Sequence, residues 1–335
     1  MTTLDFRRDS SIPGLLSRGD LEKVDWIVGG NAFPEGKKLK VAILGGSGML
    51  GSTLVDLFSR SPLVDLVVTT RNFGILGYRK PNIEWRILDC ELDDSSLQRA
   101  IAGCQWIVNA IGCTKPMIDE KDNDSLERAI AVNVLFPFRL AKVAAANGAR
   151  VLQIATDCVY SGTQGHYKED APHDAHDVYG KTKSLGEVHA EGFTNLRCSI
   201  IGPEVRGFRY LFSWLTKQEE NAVVQGYTNH LWNGLTTLHF ANICHALIWS
   251  GLAYPSLIHI VPDGVVTKFE LLEYMRENFR PDITVKPTYA EKMIDRTLET
   301  QNESLNGAIW NLAGYVKPPT VKAMIKELAN WINPK

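Results

Sequence analysis

The sequence predicts an α/β protein with a doubly wound parallel sheet and a smaller C-terminal α/β lobe. From residue 39 onward, short apolar runs alternate with amphipathic stretches, which is the pattern of successive βαβ units. A glycine-rich turn follows the first of these runs. After residue 202 the alternation becomes less regular. We therefore expect residues 39–202 to form the sheet domain, with its core continuing into later segments, and residues 203–335 to form mainly the lobe.

The predicted strands are short apolar runs bounded by turn residues, at 40–44, 64–69, 83–88, 106–110, 151–155 and 195–200. Helices are predicted at 49–60, 94–102, 124–147 and 177–191, and in the lobe at 207–219, 239–250, 267–278 and 319–331. Residues 1–38 show no clear period and are interpreted as an N-terminal extension. Its segment 26–28 could dock onto the body or belong to a loosely packed leader.

Composition narrows the functional class. The 335 residues are 44% hydrophobic, which is typical of a packed globular chain, and 36 basic residues nearly balance 38 acidic ones. This balance gives no electrostatic case for nucleic-acid binding. Six scattered cysteines without a C-x-x-C pair indicate neither a disulfide framework nor a zinc ribbon. We find no secretory signal and no apolar run near the roughly 18 residues of a membrane span. We therefore expect a cytoplasmic protein without a membrane partner.

The glycine turn has the pattern G-x-x-G-x-x-G, with Gly45, Gly48 and Gly51 as its glycines. Glycine lets the backbone approach a pyrophosphate, whose charge then lies at the N-terminus of the following helix, opened here by Met49 and Leu50. Gly51 would let that helix pack closely on the sheet. Because the turn follows the first strand of a βαβ series, it predicts a dinucleotide site on a Rossmann-type sheet. The alternative is a turn that uses glycine for packing alone.

Two residues bear on the choice of cofactor. Arg71 follows the second strand, where NAD-specific sites usually carry an acidic residue, and a guanidinium there can pair with the 2′-phosphate of NADP. This favours NADPH over NADH, although a solvated loop arginine would look the same. Asp89 follows the third strand and could accept a hydrogen bond from the adenine amino group, or could be an ordinary turn aspartate.

The predicted chemistry rests on Tyr179 and Lys183, which lie four residues apart and so on one face of a helix. The Lys183 ammonium is expected to lower the pKa of Tyr179, so that the phenol exchanges a proton with a sugar or alcohol oxygen near neutral pH. Thr156 ends a predicted strand at the sheet edge where ligands bind, and its hydroxyl can hydrogen-bond the same oxygen. The alternative is an ordinary amphipathic helix.

These motifs resemble the extended short-chain dehydrogenase/reductases, most closely the dTDP-4-dehydrorhamnose reductase type of sugar-nucleotide reductase. Further matching segments lie at 109–112, 131–133, 155–162, 178–187 and 196–197. The resemblance implies that Thr156, Tyr179 and Lys183 are catalytic, and that hydride passes from NADPH, or alternatively NADH, to a nucleotide-linked 4-keto-6-deoxysugar in deoxysugar or polysaccharide biosynthesis. It also implies a homodimer through the helices near 124–147 and 177–191. The implied cofactor contacts include Ala110, Ile111, Gly112 and Lys183, and the implied sugar contacts are Asp157, Cys158 and Arg197.

Departures from this pattern leave alternatives open. Cys158 replaces a tyrosine of the family and Ile200 a tryptophan, so we expect a different sugar pocket. The aromatic segment 225–234, with Trp232 and Asn233, either covers the sugar or packs the lobe.

Two other functions remain. Cys158 matches the spacing of the epimerising cysteine in GDP-fucose synthase, which keeps an epimerase as an alternative, although no histidine partner is evident and a buried, unreactive cysteine would look the same. A non-catalytic NADPH-sensing subunit is an alternative of another class. The irregular spacing of the histidines in the loop 166–176 predicts no metal site.

Overall fold

The structure is a computed structural model that describes residues 38–72, 82–91 and 93–334. The predicted N-terminal extension, including its segment 26–28, lies outside these residues except for Lys38. All the motifs that carry the predicted chemistry lie inside them.

Seven of the strands form one central sheet in the order β3-β2-β1-β4-β5-β6-β11, and every neighbouring pair is parallel. The direction of winding reverses between β1 and β4, which opens a crevice at the carboxyl ends of the strands. The predicted doubly wound sheet is confirmed. The strand bounds are β1 Leu39–Leu44, β2 Val64–Thr70, β3 Glu84–Ile87, β4 Trp106–Asn109, β5 Arg150–Ala155, β6 Phe193–Arg197, β7 Ile200–Ile201, β8 Val223–Tyr227, β9 His230–Trp232, β10 Leu235–Thr236, β11 Leu257–His259, β12 Val266–Thr267, β13 Thr284–Thr288 and β14 Ile294–Asp295.

Helices cover both faces of this sheet. A π-helical segment, Ala131–Leu135, joins α3 and α4 into one run. The helix predicted at 177–191 ends earlier, at Leu185, where Gly186 passes so close to the carbonyl oxygen of Asn133 that a side chain there would collide with it. The helix bounds are α1 Met49–Phe58, α2 Asp94–Ile101, α3 Asn123–Ile130, α4 Phe136–Ala146, α5 Val178–Leu185, α6 Leu211–Thr216, α7 Thr237–Ser250, α8 Lys268–Phe279, α9 Glu303–Leu312 and α10 Val321–Ile332.

Two predictions from the sequence missed part of this arrangement. The strand predicted at 195–200 is two strands, β6 and β7, and the seventh strand β11 and helix α9 were not predicted at all. The aromatic segment 225–234, for which no strand was predicted, contains the end of β8 and the whole of β9. In the lobe, β8 pairs with β13, and β9 lies between β12 and β14.

The run formed by α3 and α4 is long and apolar enough to cross a membrane by length and composition. It is nevertheless a core helix, because Phe136, Leu140 and Val143 are buried in the apolar cluster that α2 and α4 form against the sheet. On the opposite face, α7 is buried over nearly its whole length and packs on α1. The hydroxyl of Thr53 donates to that of Thr237 at 3.0 Å, which links the sheet domain to α7.

Buried histidine makes the fold sensitive to acid. His245 on α7 is 3% exposed, and burial lowers its pKa to about 4. Below its ordinary pKa of about 6.5 the unfolded chain binds a proton that the folded chain does not, so this stabilisation is complete above that pH and is lost as the pH falls toward about 4. We expect the free energy of unfolding of wild type to fall, through this residue, by about 2 kcal/mol between about pH 7.5 and about pH 5.

Urea unfolding at the two pH values, compared between wild type and His245→Asn, measures this contribution. The variant should lose less stability on acidification than wild type does. The exposed His176, replaced by asparagine, serves as the control and should behave like wild type. Equal acid losses for wild type and His245→Asn would refute the prediction.

Candidate functional site

The glycine turn connects β1 to α1 and forms one end of a cavity of about 620 Å³. Gly45 has a φ of 81°, which glycine adopts without strain, and its N–H donates to the hydroxyl of Thr69 at 3.1 Å. Gly48 is the N-cap of α1 and supplies no side-chain acceptor, so no side chain caps the first N–H groups of this helix. Gly45, Gly48, Met49 and Leu50 line the cavity. The turn therefore presents backbone donors to a ligand, as an anion site requires.

Gly51 lies outside the cavity wall and has a packing role. A side chain on Gly51 would collide with the carbonyl oxygen of Gly45, whereas the space beside Gly48 admits a methyl group at ordinary contact distance. We expect Gly51→Ala to lower the melting temperature clearly, by the several degrees that overpacking costs of about 1–3 kcal/mol produce. Gly48→Ala should leave the melting temperature nearly unchanged and weaken NADPH binding. Thermal unfolding and a cofactor titration of both variants test this; equal melting temperatures would contradict it.

The cavity continues along the ends of β2, β3 and β4. Arg71 lines it beyond the end of β2, and Ala110, Ile111 and Gly112 line it beyond the end of β4. Asp89 does not line the cavity. Its carboxylate accepts the N–H of Glu91 at 3.0 Å, which is the arrangement of a turn aspartate.

Asn133, which the sequence analysis did not single out, holds this part of the wall in place. It lies in the π-helical segment, where its side chain accepts from the N–H of Cys113 and donates to its carbonyl, both at 2.8 Å.

Thr156, Tyr179 and Lys183 line the same cavity. Thr156 follows β5, and its hydroxyl accepts the N–H of Cys158 at 3.1 Å and donates to Asp157 Oδ1 at 3.2 Å. Tyr179 and Lys183 lie on α5, whose start is capped by Asp177 accepting the N–H of Gly180 at 2.8 Å. The sheet edge and one helix thus bring three residues from two sequence segments to one wall.

The pKa of Tyr179 differs from the value expected from the sequence. Burial raises the pKa of Tyr179 well above its ordinary value, and the nearby Thr156 hydroxyl acts in the opposite direction without cancelling this effect. Burial also lowers the pKa of Lys183 to about 8, and its ammonium donates to the carbonyl oxygen of Ile154 at 2.9 Å. The expected lowering of the Tyr179 pKa by Lys183 is therefore not found, because desolvation raises this pKa. The neutral phenol that results is the form that donates a proton.

Asp157 and Cys158 also line the cavity. Burial and the neighbouring Asp157 carboxylate raise the pKa of the Cys158 thiol to about 12, and its sulfur donates to Asp157 Oδ1 at 3.6 Å. Among the described residues, no histidine lines this cavity. An epimerising cysteine–histidine pair therefore lacks its second member here.

The other predicted sugar contacts lie elsewhere. Arg197 is buried away from the cavity, where Glu187 accepts two hydrogen bonds from its guanidinium, and Asn233 is buried with its amide bonded to the backbone of Leu298. Trp232 lines a second cavity of about 360 Å³ and donates to the hydroxyl of Ser199 at 2.9 Å. Within segment 225–234, Asn233 therefore belongs to the interior of the lobe, and Trp232 is the residue that lines a cavity.

The loop before Tyr179 is held by ordinary polar contacts. His166 pairs with Glu299, while His173 accepts from Arg197 and bonds the hydroxyl of Ser184. The part of the chain that the structure describes contains no group of three or more histidine, cysteine or acidic side chains that could hold a metal ion.

The family model of the RmlD substrate binding domain matches residues 39–333. The chain belongs to this family. Its resemblance to the dTDP-4-dehydrorhamnose reductase type of extended short-chain dehydrogenase/reductase is thereby confirmed.

Curated relatives of this RmlD-family chain have two different names. The dTDP-4-dehydrorhamnose reductase of Mycolicibacterium smegmatis is 29% identical over 154 residues, which are 44% of this chain and 40% of that protein. The methionine adenosyltransferase 2 subunit beta of Mus musculus is 30% identical over 186 residues, which are 55% of this chain and 50% of that protein. The chain thus matches about half or less of the length of each relative.

Solved structures of the same fold include the dTDP-4-dehydrorhamnose reductase of Bacillus anthracis in complex with NADP. It superimposes with a TM-score of 0.65 at 18% identity, covering 89% of this chain and 100% of that one. At this identity the likeness establishes the α/β fold of the RmlD-family chain.

Proposed function

We propose that this chain is an NADPH-dependent reductase of a nucleotide-linked 4-keto-6-deoxysugar, acting in deoxysugar or polysaccharide biosynthesis. One observation carries the proposal: Thr156, Tyr179 and Lys183 line the same cavity as the glycine turn. A proton donor and a dinucleotide site that share one cavity suit the reduction of a ketone. A protein that only binds the cofactor would need the dinucleotide site but no proton donor.

The residues of this cavity fit the cofactor. The N–H groups at the start of α1, left uncapped by Gly48, suit a pyrophosphate, and Arg71 suits a 2′-phosphate, which favours NADPH over NADH. Lys183 would hold the nicotinamide ribose. When bound, NADPH supplies the hydride.

The protein's part in the reaction is proton transfer and polarisation. The neutral phenol of Tyr179 donates its proton to the ketone oxygen as that oxygen gains negative charge, and the Thr156 hydroxyl hydrogen-bonds the same oxygen. Asp157 and Cys158 line the cavity beside Thr156, where they would contact the sugar. The Lys183 ammonium stabilises the phenolate that forms, because an adjacent positive charge favours an anion.

The decisive experiment follows the oxidation of NADPH and NADH at the nicotinamide absorbance against dTDP-, UDP- and GDP-linked 4-keto-6-deoxysugars. One NADPH consumed per sugar reduced supports the reductase. Conversion of a sugar without net NADPH consumption would indicate an epimerase instead and would overturn the proposal.

A second candidate function is a cofactor-binding subunit of another enzyme. The observation that favours it is the similarity to the methionine adenosyltransferase 2 subunit beta of Mus musculus, a relative that is named as a subunit. Tight NADPH binding, measured by fluorescence titration, without turnover on any keto-sugar would favour this function over the reductase.

We propose that the chain forms a homodimer through α3, α4 and α5. Ile130, Phe138 and Leu185 on these helices are exposed apolar side chains, and so is Leu135 in the π-helical segment between α3 and α4. Burying them against a second copy would remove an apolar patch from water. We expect wild type to be a dimer in light scattering and Phe138→Asp, at a position 51% exposed, to be a monomer.

Val316→Asp is the matched control, since Val316 is 97% exposed but lies on the loop between α9 and α10. That variant should remain a dimer. A monomeric wild type, or a dimeric Phe138→Asp variant, would contradict the proposed interface.

We also propose a cytoplasmic location. All six cysteines are free thiols, and five of them are buried. Free thiols in this number suit a reducing compartment.

A further inference from the structure

Three buried amide side chains form a row across the middle of the central sheet. Asn109 on β4, Gln153 on β5 and Asn195 on β6 lie opposite one another in the strand register. Each of the three is at most 1% exposed. Burying an amide is unfavourable unless its donors and acceptors are hydrogen-bonded, and an apolar side chain would fill this interior without that requirement. The row therefore needs an explanation other than the filling of the core.

Gln153 is the central member and joins the other two amides. Its Oε1 accepts from the side-chain amide of Asn109 at 2.9 Å, and its Nε2 donates to Oδ1 of Asn195 at 3.0 Å. The same Nε2 also donates to the carbonyl oxygen of Gly186 at 2.9 Å. Gly186 is the C-cap of α5, the helix that carries Tyr179. Gln153 therefore connects the middle of the sheet to the residue at which this helix ends.

The two ends of the row reach two walls of the site. Asn109 Oδ1 accepts the N–H of Ile111 at 3.1 Å, and Ile111 lines the cavity of about 620 Å³ and packs beside Gly45 of the glycine turn. At the other end, the side-chain amide of Asn195 donates to the carbonyl oxygen of Val188 at 2.8 Å, just beyond α5. The row thus holds both the cavity wall after β4 and the segment after α5.

The placement of α5 decides where the proton-transfer residues lie. Tyr179 and Lys183 both belong to this helix of 8 residues. The Lys183 ammonium donates at 2.9 Å to the carbonyl oxygen of Ile154, the neighbour of Gln153 in β5. A displacement of α5 would move the phenol and the ammonium together relative to the cofactor wall. A shift of about 1 Å at a reacting group is enough to lower a rate by about 10²-fold.

We propose that Gln153 is a positioning residue, which fixes the end of α5 against the wall after β4 and thereby sets the distance of Tyr179 and Lys183 from the cofactor. Its effect on the rate rests on the proposed function, because the placement of these two residues affects turnover only if they transfer a proton. Gln153 lines neither cavity and so contacts neither substrate nor cofactor. Its loss is therefore expected to slow the chemical step and to leave binding unchanged.

Gln153→Met tests the proposal, because methionine has a similar length and no amide. Hydrogen exchange of the full-length protein, followed by mass spectrometry, measures the opening of α5 and of the core helix α7. In Gln153→Met the exchange rate of α5 should rise at least about tenfold more than that of α7, since the helix end loses its hydrogen bond. With NADPH and the keto-sugar, kcat should fall by about 10²-fold. KM and the NADPH affinity should stay within about twofold of wild type.

Asn306→Leu is the matched control. Asn306 on α9 is also a buried amide, bonded to the N–H and the carbonyl of Val261, and it lines neither cavity. This variant should lose stability too, but the exchange of α5 relative to α7 should not increase and kcat should match that of wild type.

Gln153→Glu adds a conservative variant, which carries the test if Gln153→Met does not fold. A buried carboxyl binds a proton more readily than an exposed one, and its O–H can then donate to Gly186 in place of the amide. The kcat of this variant, divided by that of wild type at the same pH, should rise as the pH is lowered from about 8 to about 6. A ratio that does not change with pH would count against the proposal.

An equal rise of exchange in α5 and α7 of Gln153→Met would overturn the inference, because Gln153 would then stabilise the fold as a whole. A loosened α5 with wild-type kcat would overturn it as well. Wild-type protein that reduces none of the keto-sugars would overturn the proposed function alone, because the exchange of α5 is measured without turnover.

Discussion

Replacing Tyr179 by phenylalanine is expected to lower turnover by about 10²–10⁴-fold, the usual contribution of a general acid. The variant removes only the phenol hydroxyl, from a side chain on the wall of the cavity. Because the cofactor contacts of the glycine turn and Arg71 are untouched, NADPH affinity should stay close to that of wild type. Steady-state kinetics and a fluorescence titration measure the two quantities separately.

Tyr167→Phe provides the control for this substitution. Tyr167 is buried and stacks on Tyr160 with ring centres 4.1 Å apart, and it lines neither cavity. Its variant should turn over like wild type. Turnover by Tyr179→Phe at the wild-type rate would exclude the proposed proton donor.

Glu187→Ala is expected to lower the free energy of unfolding by about 3–5 kcal/mol, the cost of leaving one charge of a buried pair uncompensated. The side chains of Glu187 and Arg197 are 2% and 1% exposed and form a pair with two hydrogen bonds. The same guanidinium donates to the Tyr160 hydroxyl and to His259. Without the carboxylate, this network holds an unpaired guanidinium away from water. Chemical denaturation measures the loss.

An exposed ion pair provides the control for Glu187→Ala. Asp263→Ala breaks the pair between Asp263 and Lys317, whose side chains are largely in solvent, and should change stability little. The double variant Glu187→Leu with Arg197→Met should be more stable than Glu187→Ala, because it removes both buried charges. A loss in Glu187→Ala no larger than in Asp263→Ala would show that Arg197 is open to solvent and would restore it as a candidate sugar contact.

Local sequence patterns were sufficient to predict much of the sheet domain. Strands β1, β2, β4 and β5 are rich in apolar, buried residues because both faces of a parallel sheet are covered by helices, and such segments are visible without tertiary information. The glycine turn is equally local, since three glycines at fixed spacing constrain one backbone segment. The lobe was predicted less well. Its strands have only two to five residues, which is too short for a periodic signal, and they pair with distant segments.

The sequence by itself determined the doubly wound fold class, the glycine turn and the grouping of Tyr179 with Lys183, because each depends on residues close together in the chain. Only the tertiary structure decided which polar residues line the cavity. Arg197 looked like a ligand contact until Glu187 and two histidines were found around it, and Lys268 carried no signal until α8 brought it to the second cavity. Burial and ion pairing are set by residues far apart in sequence, and they decide whether a charged side chain is available to a ligand.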